Sequence, residues 1–247
     1  MLQRFRNFSN PLELTLGRLL FRNTDVQVHR VGDKHMLVDH RFADAGSIRG
    51  CVSNPMYATL LDKVKLPKKL SVLDIGANVG GFPLLLHARG HELDKLTIVE
   101  LNPRTFVRLH FNILSNWGHA QVLNYGVSSS AGDLTLTLGE GDTADSLRGS
   151  PDGKGDVVTV RTIALDDLPH DGPIDLLKID IEHAEVDVLL KPGHEATLAR
   201  TQVLIIEIHP LEHAKAIHTA IEATGLKHVV GSQELIGQHI FARQMET

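Results

Sequence analysis

The residues best suited to chemistry begin at Val72-Leu73-Asp74-Ile75-Gly76-Ala77-Asn78-Val79-Gly80-Gly81-Phe82. This is an apolar strand ending in an acid, then a glycine-rich turn, then a second apolar segment, the pattern by which a strand feeds a helix around a nucleotide-like ligand. A dinucleotide fingerprint, Gly-x-Gly-x-x-Gly, uses its second glycine to let backbone approach a pyrophosphate. Asn78 stands at that place here. A ligand without phosphates, carrying a sulfonium and an amino-acid tail, has no such need, and the Asp74 carboxylate would favour its positive groups. S-adenosylmethionine is that ligand. Glu100 closes the apolar run Leu96-Thr97-Ile98-Val99 and lies 20 positions beyond Gly80. An acid so placed accepts hydrogen bonds from two vicinal ribose hydroxyls, in S-adenosylmethionine or in NAD alike.

The elements that must hold these residues follow from periodicity. From Ser71 onward, apolar runs and amphipathic segments alternate, which argues for a mostly parallel sheet with helices on both faces. Strands are expected at about 71–75, 96–100, 120–124, 174–180 and 202–208, and helices near 82–90, 103–116, 183–200 and 211–224. The alternating run 133–138 and the β-branched run 157–162 form a hairpin-like excursion, whose polar tip, 139–155, reads as a mobile loop. Two short strands, 227–230 and 238–242, end the chain, the last running antiparallel. Residues 1–70 are expected to form a cap, with a helix from Pro11 to Phe21, a hairpin of 26–31 with 35–39, and a helix from Met56 to Val64. Residues 71–247 then form the cofactor domain.

Composition sets the outer limits. A chain of 247 residues with 42% hydrophobic content, 25 basic and 30 acidic side chains reads as an ordinary globular protein. Its formal net charge of -5 disfavours a general nucleic-acid surface. There is no apolar run of the roughly 18 residues that a membrane-spanning helix needs, and no secretory leader, so the expected location is the cytoplasm. The single cysteine, Cys51, agrees with a reducing compartment and reads as a small packed side chain. Trp117 and Tyr57 read as packing residues, and Asp166-Asp167 as a polar turn before Leu168.

Five strings, in order, resemble the signature stretches of the FkbM-type S-adenosylmethionine-dependent methyltransferases. They are Leu73-Asp74-Ile75-Gly76-Ala77-Asn78-Val79-Gly80, Val99-Glu100-Leu101-Asn102-Pro103, Thr162-Ile163-Ala164-Leu165-Asp166-Asp167-Leu168, Leu177-Lys178-Ile179-Asp180-Ile181-Glu182-His183-Ala184-Glu185 and Ile205-Ile206-Glu207-Ile208-His209. The resemblance spans about residues 71–210. It implies an α/β, class I (Rossmann-like) methyltransferase fold, with a seven-stranded sheet whose last strand is antiparallel. It also implies methylation of a hydroxyl on a sugar or secondary metabolite. Carried over residue by residue, it sets Asp74, Gly76, Asn78 and Gly80 around the methionine part of the cofactor and Glu100, with the adjoining Asn102, at its ribose. Gly126 and Val127 would border the adenine, and Asp180 and Glu182 would face the transferred methyl. His183 stands where the family usually has glycine.

Transfer to a hydroxyl is an in-line displacement that gains most from alignment, and the acceptor must also lose a proton. A carboxylate or imidazole within about 3 Å can take it. The candidates are Asp180, Glu182, His183, Glu207 and His209, the last two alternating onto one face of a strand end. The same cluster admits Mg²⁺ or Mn²⁺, although its spacing does not require a metal. The expected partner is a small hydroxyl-bearing molecule, with homo-oligomerisation possible. Two other readings stand beside this one: an NAD-type oxidoreductase, and a non-catalytic protein that keeps the cofactor pocket.

Overall fold

The computed structural model describes residues 5–20, 25–53, 55–138, 147–149 and 155–243. Its first elements are α1 (Pro11–Leu20), the hairpin β1 (Val26–Val31) and β2 (Lys34–Asp39), α2 (Asp44–Val52) and α3 (Pro55–Leu61). The winding proper runs β3 (Lys69–Ile75), α4 (Gly81–Ala88), β4 (Glu92–Val99), α5 (Pro103–Asn116) and β5 (Gln121–Leu123). Next come β6 (Gly126–Ser128), β7 (Gly132–Leu138) and β8 (Asp156–Ala164), then β9 (Ile174–Ile179), α6 (Glu185–Leu189), α7 (Glu195–Ala199) and β10 (Thr201–Ile208). The chain closes with α8 (Ala214–Ala223), β11 (Lys227–Gly231) and β12 (Gly237–Ala242).

Seven strands make the main sheet, in the order β11-β12-β10-β9-β3-β4-β5, with β12 antiparallel to both its neighbours. This is the expected α/β architecture. Apolar side chains on β3 alternate between the faces: Leu70 and Val72 join one buried cluster, Leu73 and Ile75 the other. The central strands therefore read as nearly continuous apolar runs, as parallel strands covered on both sides must. The excursion of β7 and β8 is present, but as a separate three-stranded sheet in the order β6-β8-β7. Most of its tip, 139–146 and 150–154, lies outside the described residues, as does Phe21 of the expected first helix.

The hairpin packs on the first cluster through Met36 and Val38. It is fastened by two asparagines one turn apart on α5. Asn112 accepts from the Leu37 amide at 2.7 Å and donates to its carbonyl at 3.0 Å, and Asn116 does the same for His35 at 2.8 and 2.7 Å. Helix spacing thus supplies side chains that mimic a neighbouring strand.

One expected element needs correction. The helix foreseen over 183–200 is two short helices, α6 and α7, separated at Lys191-Pro192-Gly193. Pro192 has no N–H to continue a helix and Gly193 takes φ of 109°. Asp166, in the polar turn before Leu168, accepts from the Ala196 and Thr197 amides at 3.1 and 2.6 Å and so caps α7 from outside. Among the described residues no helix is long and apolar enough to cross a membrane.

Candidate active site

A cavity of about 280 Å³ opens at the carboxyl ends of β3, β4, β9 and β10, where ligands of open α/β sheets sit. Its floor is the turn between β3 and α4. The Gly76 and Ala77 amides donate to the Val99 carbonyl at 3.0 and 3.1 Å, and the Asp180 amide donates to the Ile75 carbonyl at 3.0 Å. The turn is thereby clamped between the ends of β4 and β9. Gly76 has φ of 76°, and a Cβ there would lie 1.7 Å from the Asp180 carbonyl oxygen. Only glycine fits.

Asn78 also takes the left-handed conformation, φ 50°, and its Oδ1 accepts from the Val79 amide at 2.9 Å. Short polar side chains tolerate that region best. The Asn78 amide donates to Glu100 Oε2 and the Asn102 amide to Glu100 Oε1, both at 2.9 Å. Glu100 is therefore a brace for the turn as well as a wall of the cavity. Gly126 and Val127 line the opposite side with Tyr125 and Leu101. A Cβ on Gly126 would come within 2.6 Å of Leu147 and 2.9 Å of Leu101.

Three expected cofactor residues do not reach the cavity. Asp74 is fully buried, with Oδ1 3.5 Å from Lys178 Nζ, on the sheet face that carries Leu70 and Val72. Gly80 faces α5 and the cap, where a Cβ would meet Ile113 of the helix at 2.9 Å and Met36 of the hairpin at 3.0 Å. Asn102 is buried and caps α5, accepting from the Arg104 amide at 2.9 Å.

Asp180, Glu182 and Glu207 do line the cavity together. Lys178 lines it with them: only 4% exposed, its ammonium lies 3.3 Å from Asp180 and donates to the Gly76 carbonyl at 3.1 Å. Burial pulls the Lys178 ammonium down, but Asp180 and Asp74 outweigh it and hold the pKa well above its usual value. Burial pushes the Asp74 carboxyl up, against Lys178. A charged Lys178 between two carboxylates is the state this geometry supports.

His209 stands behind the wall, donating Nδ1–H to Glu185 at 2.8 Å, with Nε2 3.3 Å from Glu182 and 3.9 Å from Glu207. Burial pulls its pKa down, yet Glu185, Glu182 and Glu207 carry it up to about 9. Glu182 is pushed up to about 7 by burial and by Asp180, Glu207 and Glu185, with His209 opposing. His183 is exposed, outside the cavity wall, at φ 72° with its ring 5.2 Å from that of His209. The backbone turn at Glu182 and His183 directs it outward.

Several wall residues carried no motif. Gln238 comes from the antiparallel strand β12, and Ser47, Gly50 and Cys51 from α2. Desolvation pushes the Cys51 thiol up to about 12, which disfavours the nucleophilic thiolate. Tyr57, from α3, packs its ring 5.7 Å from Phe82. Lys178 did leave a signal: a lysine inside an apolar strand is buried only when paired.

The donors suit an adenosine that carries a positive group. Glu100 suits vicinal hydroxyls, the apolar walls Leu101 and Val127 suit a flat base, and Asp180 suits a cation. The donor atoms of Asp180, Glu182 and His209 also lie within 4.8 Å of one another.

Comparison with known proteins agrees with this architecture. The chain is 30% identical over 139 residues to the hexuronic acid methyltransferase AglP of Haloferax volcanii, covering 55% of this chain and 54% of that protein. It is 25% identical over 189 residues to the AMB antimetabolite synthetase AmbE of Pseudomonas aeruginosa, covering 60% of this chain and 9% of that protein. The chain thus spans about half the length of the first relative and a small part of the second. Among solved structures, the methyltransferase FkbM of Methylobacillus flagellatus superposes with a TM-score of 0.53 at 13% identity, over 80% of this chain and 53% of that one. Residues 74–227, which hold the floor turn, Glu100, Lys178, Asp180 and Glu207, match the Methyltransferase FkbM domain, and the chain belongs to that family.

Proposed function

We propose that the chain is an S-adenosylmethionine-dependent methyltransferase acting on a hydroxyl of a sugar or related metabolite. Residues 71–247 hold the cofactor, and residues 1–70 cap it. The observation that carries this reading is the single cavity joining the Gly76–Asn78 turn and Glu100 to the acidic group Asp180, Glu182 and Glu207. When bound, the cofactor supplies an electrophilic methyl on a positively charged sulfur.

The remaining work falls to this chain's own residues. Glu100 accepts from the ribose hydroxyls, while Leu101, Tyr125 and Val127 enclose the base. Lys178 fixes the Asp180 carboxylate by its 3.3 Å contact, so that the acid is oriented before any ligand arrives. Glu207, held by the Gln238 amide at 3.1 Å, takes the proton of the acceptor hydroxyl. The apolar lining excludes water around that transfer. A hexuronic acid methyltransferase among the relatives supports a sugar acceptor.

Calorimetric titration with S-adenosylmethionine and with its demethylated product tests the cofactor assignment. Binding of either is expected, weakened about tenfold or more by Glu100→Ala as paired hydroxyl contacts are lost. No binding of either compound would defeat it. Glycan acceptors incubated with radiolabelled cofactor test the hydroxyl assignment, the label being expected on an oxygen.

A further inference from the structure

The acidic wall holds more negative charge than the methyl-transfer reading uses. Asp74, Asp180, Glu182, Glu185 and Glu207 share Lys178 and His209 as their cationic partners among the described residues. Lys178 is committed to Asp74 and Asp180. Glu182, Glu185 and Glu207 converge on one imidazole.

Three donors, two from this wall and one just behind it, lie close enough to grip one ion. Asp180 and Glu182 follow β9, His209 follows β10, and a ligand atom from each lies within 4.8 Å of the others. Opposed donors on an octahedral Mg²⁺ stand about 4.2 Å apart, so a small rotamer adjustment brings all three to bonding distance. The histidine is already oriented as a ligand, its Nε2 proton being released to solvent when a cation takes its place. Fully buried Glu185 accepts from its Nδ1–H at 2.8 Å, leaving Nε2 towards Glu182. Metal-binding imidazoles are held in this way, by a carboxylate on the far nitrogen.

A separate residue points to a ligand at the same place. Gln238, on β12, is 9% exposed and lines the cavity beside Glu207. Its Nε2 donates to Glu207 at 3.1 Å, and its Oε1 has no partner. A buried amide oxygen left unpaired bears its full desolvation cost. A hydrated cation, or a hydroxyl bound to one, would satisfy it.

We infer that Asp180, Glu182 and His209 form a binding site for one divalent cation of the Mg²⁺ or Mn²⁺ class, with Gln238 Oε1 facing it. The oxygen-rich donor set selects those ions over softer metals. Resting on the methyltransferase reading, the cation takes the acceptor hydroxyl as a further ligand and lowers its pKa. The proton passes from that oxygen to the Glu207 carboxylate.

The test is a titration of the full chain with Mn²⁺, following free Mn²⁺ by electron paramagnetic resonance, with Mg²⁺ as competitor. One Mn²⁺ per chain is expected, displaced by Mg²⁺. His209→Gln and Glu182→Gln are each expected to weaken binding about tenfold or more, and Glu185→Gln about 10- to 100-fold. Absence of binding at millimolar Mn²⁺, or binding unchanged in both ligand variants, overturns the site. Circular dichroism verifies each variant's fold. If Glu182→Gln does not fold, His209→Gln, at a partly exposed side chain, decides alone. Titrating the wild type with the demethylated cofactor separates the two readings. Mn²⁺ binding without cofactor binding keeps the cation site and removes the methyltransferase reading, and the converse removes only the cation site.

Discussion

Two histidines at opposite ends of one sheet are driven in opposite directions. His170, just before β9, is fully buried between Ser71 Oγ and Thr97 Oγ1, each 2.8 Å away. Burial, helped by Lys95 and Arg200, lowers its pKa to about 4, so it stays neutral. His209, just after β10, sits among Glu182, Glu185 and Glu207 and is raised to about 9. At the amino end the buried imidazole is neutral and hydrogen-bonded through both ring nitrogens, with the charges of Lys95 and Arg200 around it. The carboxyl end keeps buried charges, oxygens without a hydrogen bond on Asp74, Glu185 and Gln238, and every left-handed non-glycine residue among those described: Asn78, Glu182 and His183. Strain and unpaired polarity persist only where the surrounding structure enforces them, and they gather at sites of function.

The contrast can be broken from several directions. The largest effect is expected from Gly76→Ala, whose Cβ would overlap the Asp180 carbonyl. Urea unfolding should show a loss of about 4 kcal/mol or more, and a loss under about 1 kcal/mol would mean the floor turn is less tightly clamped than described. Next comes Lys178→Met, which strands buried Asp74 without a counter-charge. A loss of about 3 to 5 kcal/mol is expected, much of it restored by adding Asp74→Asn. Strict additivity in that double-variant cycle would show that the pair is not coupled.

At the amino end, the prediction concerns pH. His170 titrates near 6.5 when unfolded and at about 4 when folded, so the folded state disfavours its protonation. Its contribution is fully present above about pH 6.5 and is lost as pH falls from there towards 4, by about 3 kcal/mol in all. His170→Gln should flatten the acid limb of a stability-against-pH curve, and parallel curves for the two proteins would count against the assignment. The smallest effect is expected from His183→Gly. Removing a Cβ at φ 72° should stabilise the fold by about 1 kcal/mol. A higher melting temperature with unchanged cofactor affinity would place His183 outside the chemistry.

Much of this contrast is legible in the residues. The strand-turn-helix at 72–82, the acid at Glu100, the Asp180–Glu182 pair and Glu207 all fall at strand ends facing one cavity, as their spacing implies, while His209 stands behind its wall. Asp74, Gly80 and Asn102, expected at the same cavity, lie elsewhere. A string of residues fixes which strand end a side chain occupies but not where the pleat or a cap turns it. His183 misleads for a related reason, since two consecutive left-handed residues rotate it outward. The break between α6 and α7 is written in Pro192-Gly193, yet its outside cap, Asp166, is 30 positions away in sequence from Ala196.

The sequence by itself determined the winding order, the family and the residues at each strand end, because period and glycine placement are local properties. Only the tertiary structure decided that Lys178 neutralises Asp74, that Glu100 braces the floor turn, and that Gln238 arrives beside Glu207 from the antiparallel last strand. Those pairings join residues 22 to 104 positions apart. Burial and charge compensation act through space, and no local pattern records them.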